Sequence, residues 1–102
     1  ITDDQGLRLF NVFNFPNPFA LETQFSFEIS STAEVSVDIF TLGGRMVCQI
    51  SPQTVTAGYN FINWDGRDKY GDILANGVYL YRIKAKNGNE SISSIGKIAK
   101  YQ

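Results

Sequence analysis

The sequence predicts an all-β fold, a sandwich of about seven antiparallel strands in two sheets. Apolar and polar residues alternate over short segments, which is typical of half-buried strands. Turn-forming residues separate these segments, and no segment has a convincing helical period. The 102 residues suffice for one domain, with residues 1–6 interpreted as a linker remnant and residues 7–102 as the folded unit.

The first strand-like segment leads into a stiff elbow built around two prolines. Pro16 and Pro18 fix their own φ angles and force Phe15 and Asn17 into extended conformations. We expect Phe15 and Phe19 to pack around this elbow.

Six further segments have a strand pattern, and turn signals lie between them. The segments are residues 24–30, 35–39, 46–51, 59–64, 78–85 and 91–101. Ser30 to Ala33 is predicted to form a hairpin turn, and Pro52 is predicted to lie in the loop after the fourth strand. Asn87-Gly88 is the strongest two-residue hairpin signal in the chain. Seven short strands with such turns indicate an immunoglobulin-like sandwich.

Alternation also assigns side chains to the core. The predicted core residues of three strands are Phe25, Phe27, Ile29, Val35, Val37, Ile39, Tyr79, Tyr81 and Ile83. Ser36, Asp38, Arg82 and Lys84 are predicted to face outward. Aromatic residues that alternate with polar ones are interpreted as core, whereas a contiguous exposed aromatic patch would indicate an interface.

Charge argues against nucleic acid as a partner, because the net charge is −1. No apolar run approaches the ~18 residues that would cross a bilayer. The end of the chain is nevertheless mildly basic: after Tyr81 only Glu90 opposes Arg82, Lys84, Lys86, Lys97 and Lys100. Two interpretations stay open, a solvated face and a surface that meets an acidic partner.

Catalytic residues are hard to find in this sequence. It contains no histidine, which removes Ser-His and Cys-His dyads and most zinc sites. Cys48 is the only cysteine, so no internal disulfide forms, and it is interpreted as a buried or edge thiol without a catalytic role.

The segment from Asp65 to Gly77 is predicted to be a long structured loop, and it contains weak candidates for a calcium site. Asp65, Asp68 and Asp72 could supply carboxylate ligands, but Arg67 and Lys69 oppose a divalent cation. The favoured interpretation is therefore structural: the aspartates cap backbone N–H groups, and the glycines supply positive φ angles.

Several motifs follow one another in a specific order and resemble a known family. They are Asn14-Phe15-Pro16-Asn17-Pro18-Phe19, the segment 37–47, Trp64-Asp65-Gly66-Arg67-Asp68, Gly71-Asp72, the segment 74–82 with Gly77-Val78-Tyr79, and Lys97-Ile98-Ala99-Lys100. The series resembles the C-terminal sorting domain of the bacterial type IX secretion system. It also resembles the related immunoglobulin-like domain of flagellar hook-cap scaffolding proteins. Within the first group it is most similar to the version carried by PorU-type cell-surface sortases.

The resemblance implies an address label that directs a protein across the outer membrane of a Gram-negative bacterium. In the sortase version the domain would be retained and would dock to PorV, a β-barrel protein of the outer membrane. Catalysis would belong to a gingipain-like cysteine-peptidase domain upstream in the same chain. The implied location is the cell surface, with no cofactor and with the membrane met only through the partner.

The last strand is the predicted recognition region. A strand at a sheet edge has free N–H and C=O groups, which a partner could read by strand addition, or the partner could read the shape. Lys97 and Lys100 are expected to keep the strand soluble and to steer it toward an acidic surface. The predicted partner-binding residues are Gly77, Val78, Tyr79, Lys97, Ile98, Ala99, Lys100, Tyr101 and Gln102.

Three other functions stay open at this point. The domain could be the cleavable tail of an ordinary secreted cargo protein, or a structural module that assembles with copies of itself. It could also be a sugar-binding accessory domain of an enzyme, and a cluster of solvent-facing aromatic residues would favour that last alternative.

Overall fold

Seven strands form two antiparallel sheets in a computed structural model that describes residues 6–102. The strands are β1 (Leu9–Phe15), β2 (Thr23–Ile29), β3 (Ala33–Thr41), β4 (Met46–Val55), β5 (Gly58–Trp64), β6 (Gly77–Asn87) and β7 (Glu90–Lys100). One sheet has the order β1-β2-β5 and the other the order β4-β3-β6-β7, so the predicted sandwich is confirmed. No helix in residues 6–102 is long and apolar enough to cross a membrane. Most of the predicted linker, residues 1–5, lies outside the described part.

The core between the sheets contains the side chains that alternation predicted. Phe25 and Phe27 of β2 are fully buried, as is Ile39 of β3. Three aromatic rings, those of Trp64, Phe25 and Tyr81, lie in a row across the core. Phe25 lies 6.2 Å from Trp64 and 4.9 Å from Tyr81 between ring centroids, in tilted arrangements that aromatic pairs favour.

The turn between β2 and β3 differs from its prediction. Ser30 to Ala33 was expected to close a hairpin, but β2 and β3 belong to different sheets, so this segment carries the chain across the sandwich. The N–H of Ser30 donates to the carbonyl of Arg8, the residue just before β1 (3.0 Å). Alternation shows which face of a strand is buried, but two strands facing one shared core have the same pattern whether they pair or oppose.

Pro52 was expected to lie in a loop, but β4 continues through it to Val55. Two features allow this. β4 is an edge strand, where a missing N–H costs little, and the register with β3 shifts by one residue between Val35 and Val37. The resulting bulge accommodates the proline.

The hairpin predicted at Asn87-Gly88 is confirmed, with its centre one residue later. Asn87 pairs with Glu90, so Gly88 and Asn89 are the two central residues. Gly88 has a φ of 59° and Asn89 has no positive φ, which is the φ pattern of a type II′ turn rather than type I′.

Asp38 lies on the outer face of the four-stranded sheet, as predicted, yet it is fully buried. Its carboxylate accepts hydrogen bonds from Arg82 Nη2 (2.7 Å) and Gln49 Nε2 (2.8 Å), whose side chains come from the two flanking strands. Ser36 on the same face is also buried. Long side chains on neighbouring strands thus shield the centre of this face, and a buried carboxylate is tolerated because it is paired.

Gly96 of β7 provides a test of core packing. It pairs with Tyr81, and a Cβ atom at position 96 would lie 2.5 Å from Cζ of that ring. We expect Gly96→Ala to lower the free energy of unfolding by about 1–3 kcal/mol because the buried ring must move. Urea denaturation measures the change.

Gly43→Ala is the matched control for this substitution. Gly43 has no positive φ, and a Cβ atom there would have its nearest neighbour at 3.8 Å, Oγ1 of Thr41. Equal stability losses in the two variants would contradict the proposed packing of Tyr81 on Gly96.

Candidate functional site

The proline elbow pairs with the C-terminal end of β7. The N–H of Phe19 donates to the carbonyl of Ala99 (2.9 Å), and the N–H of Tyr101 donates to the carbonyl of Phe19 (2.9 Å). The Asn17 side chain extends this pairing like a peptide group. Its Nδ2 donates to the carbonyl of Lys97 (3.1 Å), and its Oδ1 accepts from the N–H of Ala99 (3.0 Å). These four hydrogen bonds occupy the strand edge over residues 97–101, so they oppose recognition by strand addition at this place.

A second asparagine holds the last residue. Asn76 Nδ2 donates to the carbonyl of Gln102 (3.1 Å), and Asn76 Oδ1 accepts from the N–H of Gln102 (3.0 Å). The end of the chain is therefore held by the elbow on β7's free edge and by Asn76 before β6. We call this arrangement of Asn17, Phe19 and Asn76 around residues 97–102 the C-terminal clamp.

Lys100 was expected to face water, but only 2% of it is exposed. Its Nζ donates to the carbonyl of Ala20 and to Oε1 of Gln102, and it lies 5.5 Å from the centroid of the Phe19 ring. A buried ammonium group is tolerated because oxygen acceptors and an aromatic face replace water. Lys100 therefore stabilises the clamp and does not present its charge on the surface.

Phe15 and Phe19 were both expected to pack around the elbow, and only Phe19 does. Phe19 is 1% exposed and its ring centroid lies 5.4 Å from that of Trp64, whereas Phe15 is 70% exposed. Gly66 lies against the same ring: its φ is 74°, and a Cβ atom there would lie 2.5 Å from the carbonyl oxygen of Leu21. Both X–Pro bonds of the elbow are cis. The motifs around Pro16 and Trp64 are thus parts of one packing arrangement.

The predicted recognition residues divide between the two faces of the four-stranded sheet. Tyr79, Ile98 and Lys100 are buried on the inner face. Gly77 pairs with Lys100 and, like Gln102, is exposed at the end of the sheet. The outer side presents four other residues together, because Val78 pairs with Ala99 and Lys97 lies two residues before it. We call these the outer C-terminal patch: Val78, Lys97, Ala99 and Tyr101.

The aspartate-rich loop has the structural role that the sequence favoured. Oδ1 of Asp65 accepts the N–H of Arg67 (3.1 Å), and Oδ1 of Asp68 accepts those of Tyr70 (2.9 Å) and Asp72 (3.0 Å). The bonds to Arg67 and Tyr70, each two residues after the aspartate, are those of Asx turns, and the bond to Asp72 closes a wider turn of the loop. Within residues 6–102, no three His, Cys, Asp or Glu side chains are arranged to hold a metal ion.

Cys48 on β4 is buried, as the sequence predicted. Burial raises the pKa of the thiol above its ordinary value, and the nearby carboxylates of Asp65 and Asp68 raise the pKa further. The indole N–H of Trp64, which donates to the carbonyl of Arg67 (3.1 Å), acts in the opposite direction on the pKa of the thiol and does not outweigh these effects. Because the thiolate is disfavoured, this environment is that of an inert structural cysteine.

The sequence analysis missed a group of exposed aromatic residues on the outer face of the three-stranded sheet. They are Phe10, Phe13, Phe15, Tyr59 and Phe61. A one-residue bulge in β1, with Asn11 at a φ of 51°, brings Phe10 to the same face as Phe13 and Phe15. Strict alternation would separate Phe10 from the other two, which is why the pattern was hidden. Asn11, which follows Phe10, was the available signal of the bulge, because Asn adopts a positive φ more readily than most residues.

Comparison with known proteins places this architecture among characterised domains. Residues 16–89 match the family described as the FlgD Ig-like domain. The crystal structure of dimeric latent PorU from Porphyromonas gingivalis is similar with a TM-score of 0.84 and 26% identity, over 98% of this chain. The chain spans only 10% of that PorU chain. FlgD from P. aeruginosa has the same fold, with a TM-score of 0.67 and 20% identity over 76% of this chain and 60% of its own. No curated protein matches the sequence.

The Asn17 bridge can be tested separately from the rest of the clamp. Asn17→Ala removes two hydrogen bonds to β7, and we expect it to cost about 1–2 kcal/mol of unfolding free energy. The amide of Ala99 should exchange its hydrogen faster, as hydrogen-exchange NMR would show. Gln53→Ala, which truncates an exposed amide side chain on β4, is the control. Unchanged protection of Ala99 in the Asn17 variant would contradict the role of the bridge.

The raised pKa of Cys48 predicts that the domain loses stability at alkaline pH. Its pKa is higher in the folded than in the unfolded state, so its contribution is complete below the unfolded value of about 8.5 and is lost as pH rises through the folded pKa. Urea denaturation at pH 7 and pH 9.5 should show a larger loss for the wild type than for Cys48→Ala. The cavity in the variant weakens it similarly at both pH values, so equal losses would contradict the prediction.

Proposed function

The chain belongs to the FlgD Ig-like domain family, and on this basis we propose that it is a non-catalytic C-terminal signal and anchor domain of the type IX secretion system, of the kind found in PorU. In this role it directs passage across the outer membrane and docks to the β-barrel protein PorV at the cell surface. The likeness to PorU, which extends over almost the whole chain, is the observation that carries the proposal.

The outer C-terminal patch has the properties of a docking surface. Val78 is 45% exposed and Tyr101 is 75% exposed, and Lys97 lies beside them. Apolar and aromatic contacts with a charged margin are the usual composition of a specific interface. The C-terminal clamp orders this surface before any partner arrives, which lowers the entropic cost of binding.

Charge on the same sheet supports an acidic partner surface. Lys84, Lys86 and Lys97 are exposed on β6 and β7, whereas Arg82 is paired with the buried Asp38. Because the charge of Arg82 is paired with that of Asp38, the exposed lysines carry the positive charge that a partner would meet on this sheet. Exposed positive charges of this kind increase the rate of encounter with an acidic surface more than they increase final affinity.

The small all-β module has no catalytic features among its described residues, and the sequence contains no histidine. In the proposed assembly, catalysis belongs to a gingipain-like cysteine-peptidase domain upstream in the parent chain. The role of this domain is then recognition by shape and charge.

Deletion of residues 97–102 is a poor test of this proposal, because it removes Ile98 and Lys100 from the buried part of the fold. Substitution of outward side chains separates recognition from folding. We expect Lys97→Glu with Tyr101→Ala to weaken binding to purified PorV in detergent by about tenfold or more, through loss of a charge and an aromatic contact. Biolayer interferometry measures the affinity, and circular dichroism checks that the thermal transition is preserved.

The matched control is Lys69→Glu with Tyr70→Ala. This is another exposed Lys and Tyr pair, and Tyr70 is 79% exposed. It lies at the opposite edge of the four-stranded sheet, because the N–H of Lys69 donates to Val47 of β4. Equal affinity of the wild type and the Lys97 variant, or an equal loss in both variants, would refute docking through the outer C-terminal patch.

A further inference from the structure

The exposed aromatic residues of the three-stranded sheet form the walls of a groove. Phe10, Phe13 and Phe15 lie on β1, and Tyr59 and Phe61 lie on β5, with β2 between them. Register places all five on one face because paired residues of antiparallel strands point the same way. Since neighbouring strands are ~4.8 Å apart, the backbones of the two strands that carry the walls are separated by roughly 10 Å. We call this feature the aromatic groove.

The floor of the groove is polar. β2 contributes Gln24, Ser26 and Glu28, each in register with aromatic or amide residues on both sides. Ser26 itself is buried, because Tyr59 of one wall lies over it with its hydroxyl 3.2 Å from Ser26 Oγ, so the accessible floor consists of Gln24 and Glu28. Gln24 Nε2 donates to Asn63 Oδ1 (3.2 Å). The floor side chains are thus held in place by their neighbours.

Exposure of the walls is large for a sheet face. The five aromatic side chains are between 41% and 70% exposed. With ~200 Å² for each fully exposed ring system, they present roughly 500 Å² of mostly apolar surface. This approaches the largest apolar patch of a typical monomer, ~300–600 Å², which is often functional.

We propose that the aromatic groove binds a neutral oligosaccharide. Each sugar ring has an apolar face of C–H groups and a rim of hydroxyl groups, so a unit over Gln24 or Glu28 can contact an aromatic wall and a polar floor together. Glu28 accepts one hydrogen bond from Asn11 Nδ2 (2.6 Å) and, as a carboxylate, has further acceptor sites for hydroxyl groups. Gln24 adds an amide oxygen.

Charge favours a neutral ligand over an ionic one. The groove and the pocket at its end contain two carboxylates, those of Glu28 and Glu22, and the guanidinium of Arg8 lies 5.7 Å from the centroid of the Phe10 ring at the other end. A strongly anionic chain would meet these carboxylates, and a strongly cationic chain would meet Arg8. Hydroxyl groups satisfy both without a net charge.

The polar floor also argues against a second copy of the same face. Two grooves pressed together would place Gln24 and Glu28 against aromatic rings, and polar groups buried without partners are costly. An oligosaccharide brings a hydroxyl group to each of these positions.

One end of the groove widens into a pocket of about 250 Å³. Phe15, Pro16, Gln24 and Asn63 line it, together with Glu22 and Thr23. It is smaller than the ~300–1,000 Å³ pockets that enclose drug-sized ligands, and it continues the groove at the side of the elbow. The geometry suits the terminal unit of a chain that lies along β2.

This activity goes beyond the proposed function and uses a different sheet. The outer C-terminal patch lies on β6 and β7, whereas the aromatic groove lies on β1, β2 and β5. The two surfaces therefore can be altered independently, and failure of one proposal leaves the other intact.

Binding can be tested with the 102-residue chain and three neutral probes, namely cellohexaose, mannohexaose and chitohexaose. We expect at least one to bind saturably in isothermal titration calorimetry, with NMR shift changes confined to β1, β2 and β5. Phe13→Ala and Phe61→Ala should each weaken that binding by about tenfold through loss of a stacking contact. Glu28→Gln should weaken it less, because one acceptor remains.

Ile95→Ala is the matched control, since Ile95 is 68% exposed on the other sheet and its variant should bind like the wild type. Circular dichroism verifies folding of all variants. Absence of saturable binding for all three probes at millimolar concentration overturns the proposal, and so does equal weakening in the Ile95 variant. Sedimentation equilibrium supplies the third decisive outcome: a dimer that Phe13→Ala and Phe61→Ala dissociate would make the face a self-interface instead.

Discussion

Phe19 joins the two sheets of this sandwich. Its backbone pairs with Ala99 and Tyr101 at the end of the four-stranded sheet, while its ring lies against Trp64 of the three-stranded sheet. Gly66 is required beneath the ring because any side chain there would meet backbone or the ring itself. Regions near the start, the middle and the end of the sequence thus depend on one side chain. The elbow from Pro16 to Phe19 positions that side chain between the two sheets.

Much of the fold could be predicted because a strand's period depends on its own residues. The core positions of β2, β3 and β6 followed from alternation alone. What alternation does not contain is the identity of the neighbouring strand, so the crossing between β2 and β3 was mistaken for a hairpin. Pro52 was mistaken for a loop residue because its tolerance depends on an edge position that only the complete sheet defines.

The candidate site was harder to predict because its contacts join residues about eighty positions apart. Asn17 meets Lys97 and Ala99 across that separation, and no local pattern indicates an amide that replaces a peptide group. Lys100 was read as a surface charge for the same reason: its acceptors come from the elbow and the last residue. The aromatic face was hidden by one inserted residue at Asn11, which changes the phase of β1.

The C-terminal clamp makes the outer C-terminal patch a discontinuous epitope. Lys97 lies beside Val78 through the pairing of β6 with β7, and Tyr101 is held there by the hydrogen bond from its N–H to the carbonyl of Phe19. A synthetic peptide of the last six residues would have the same local sequence but would not form that surface. A receptor that reads the patch therefore reads the folded state of the domain together with its sequence. Such a receptor would not recognise the same residues in an unfolded chain.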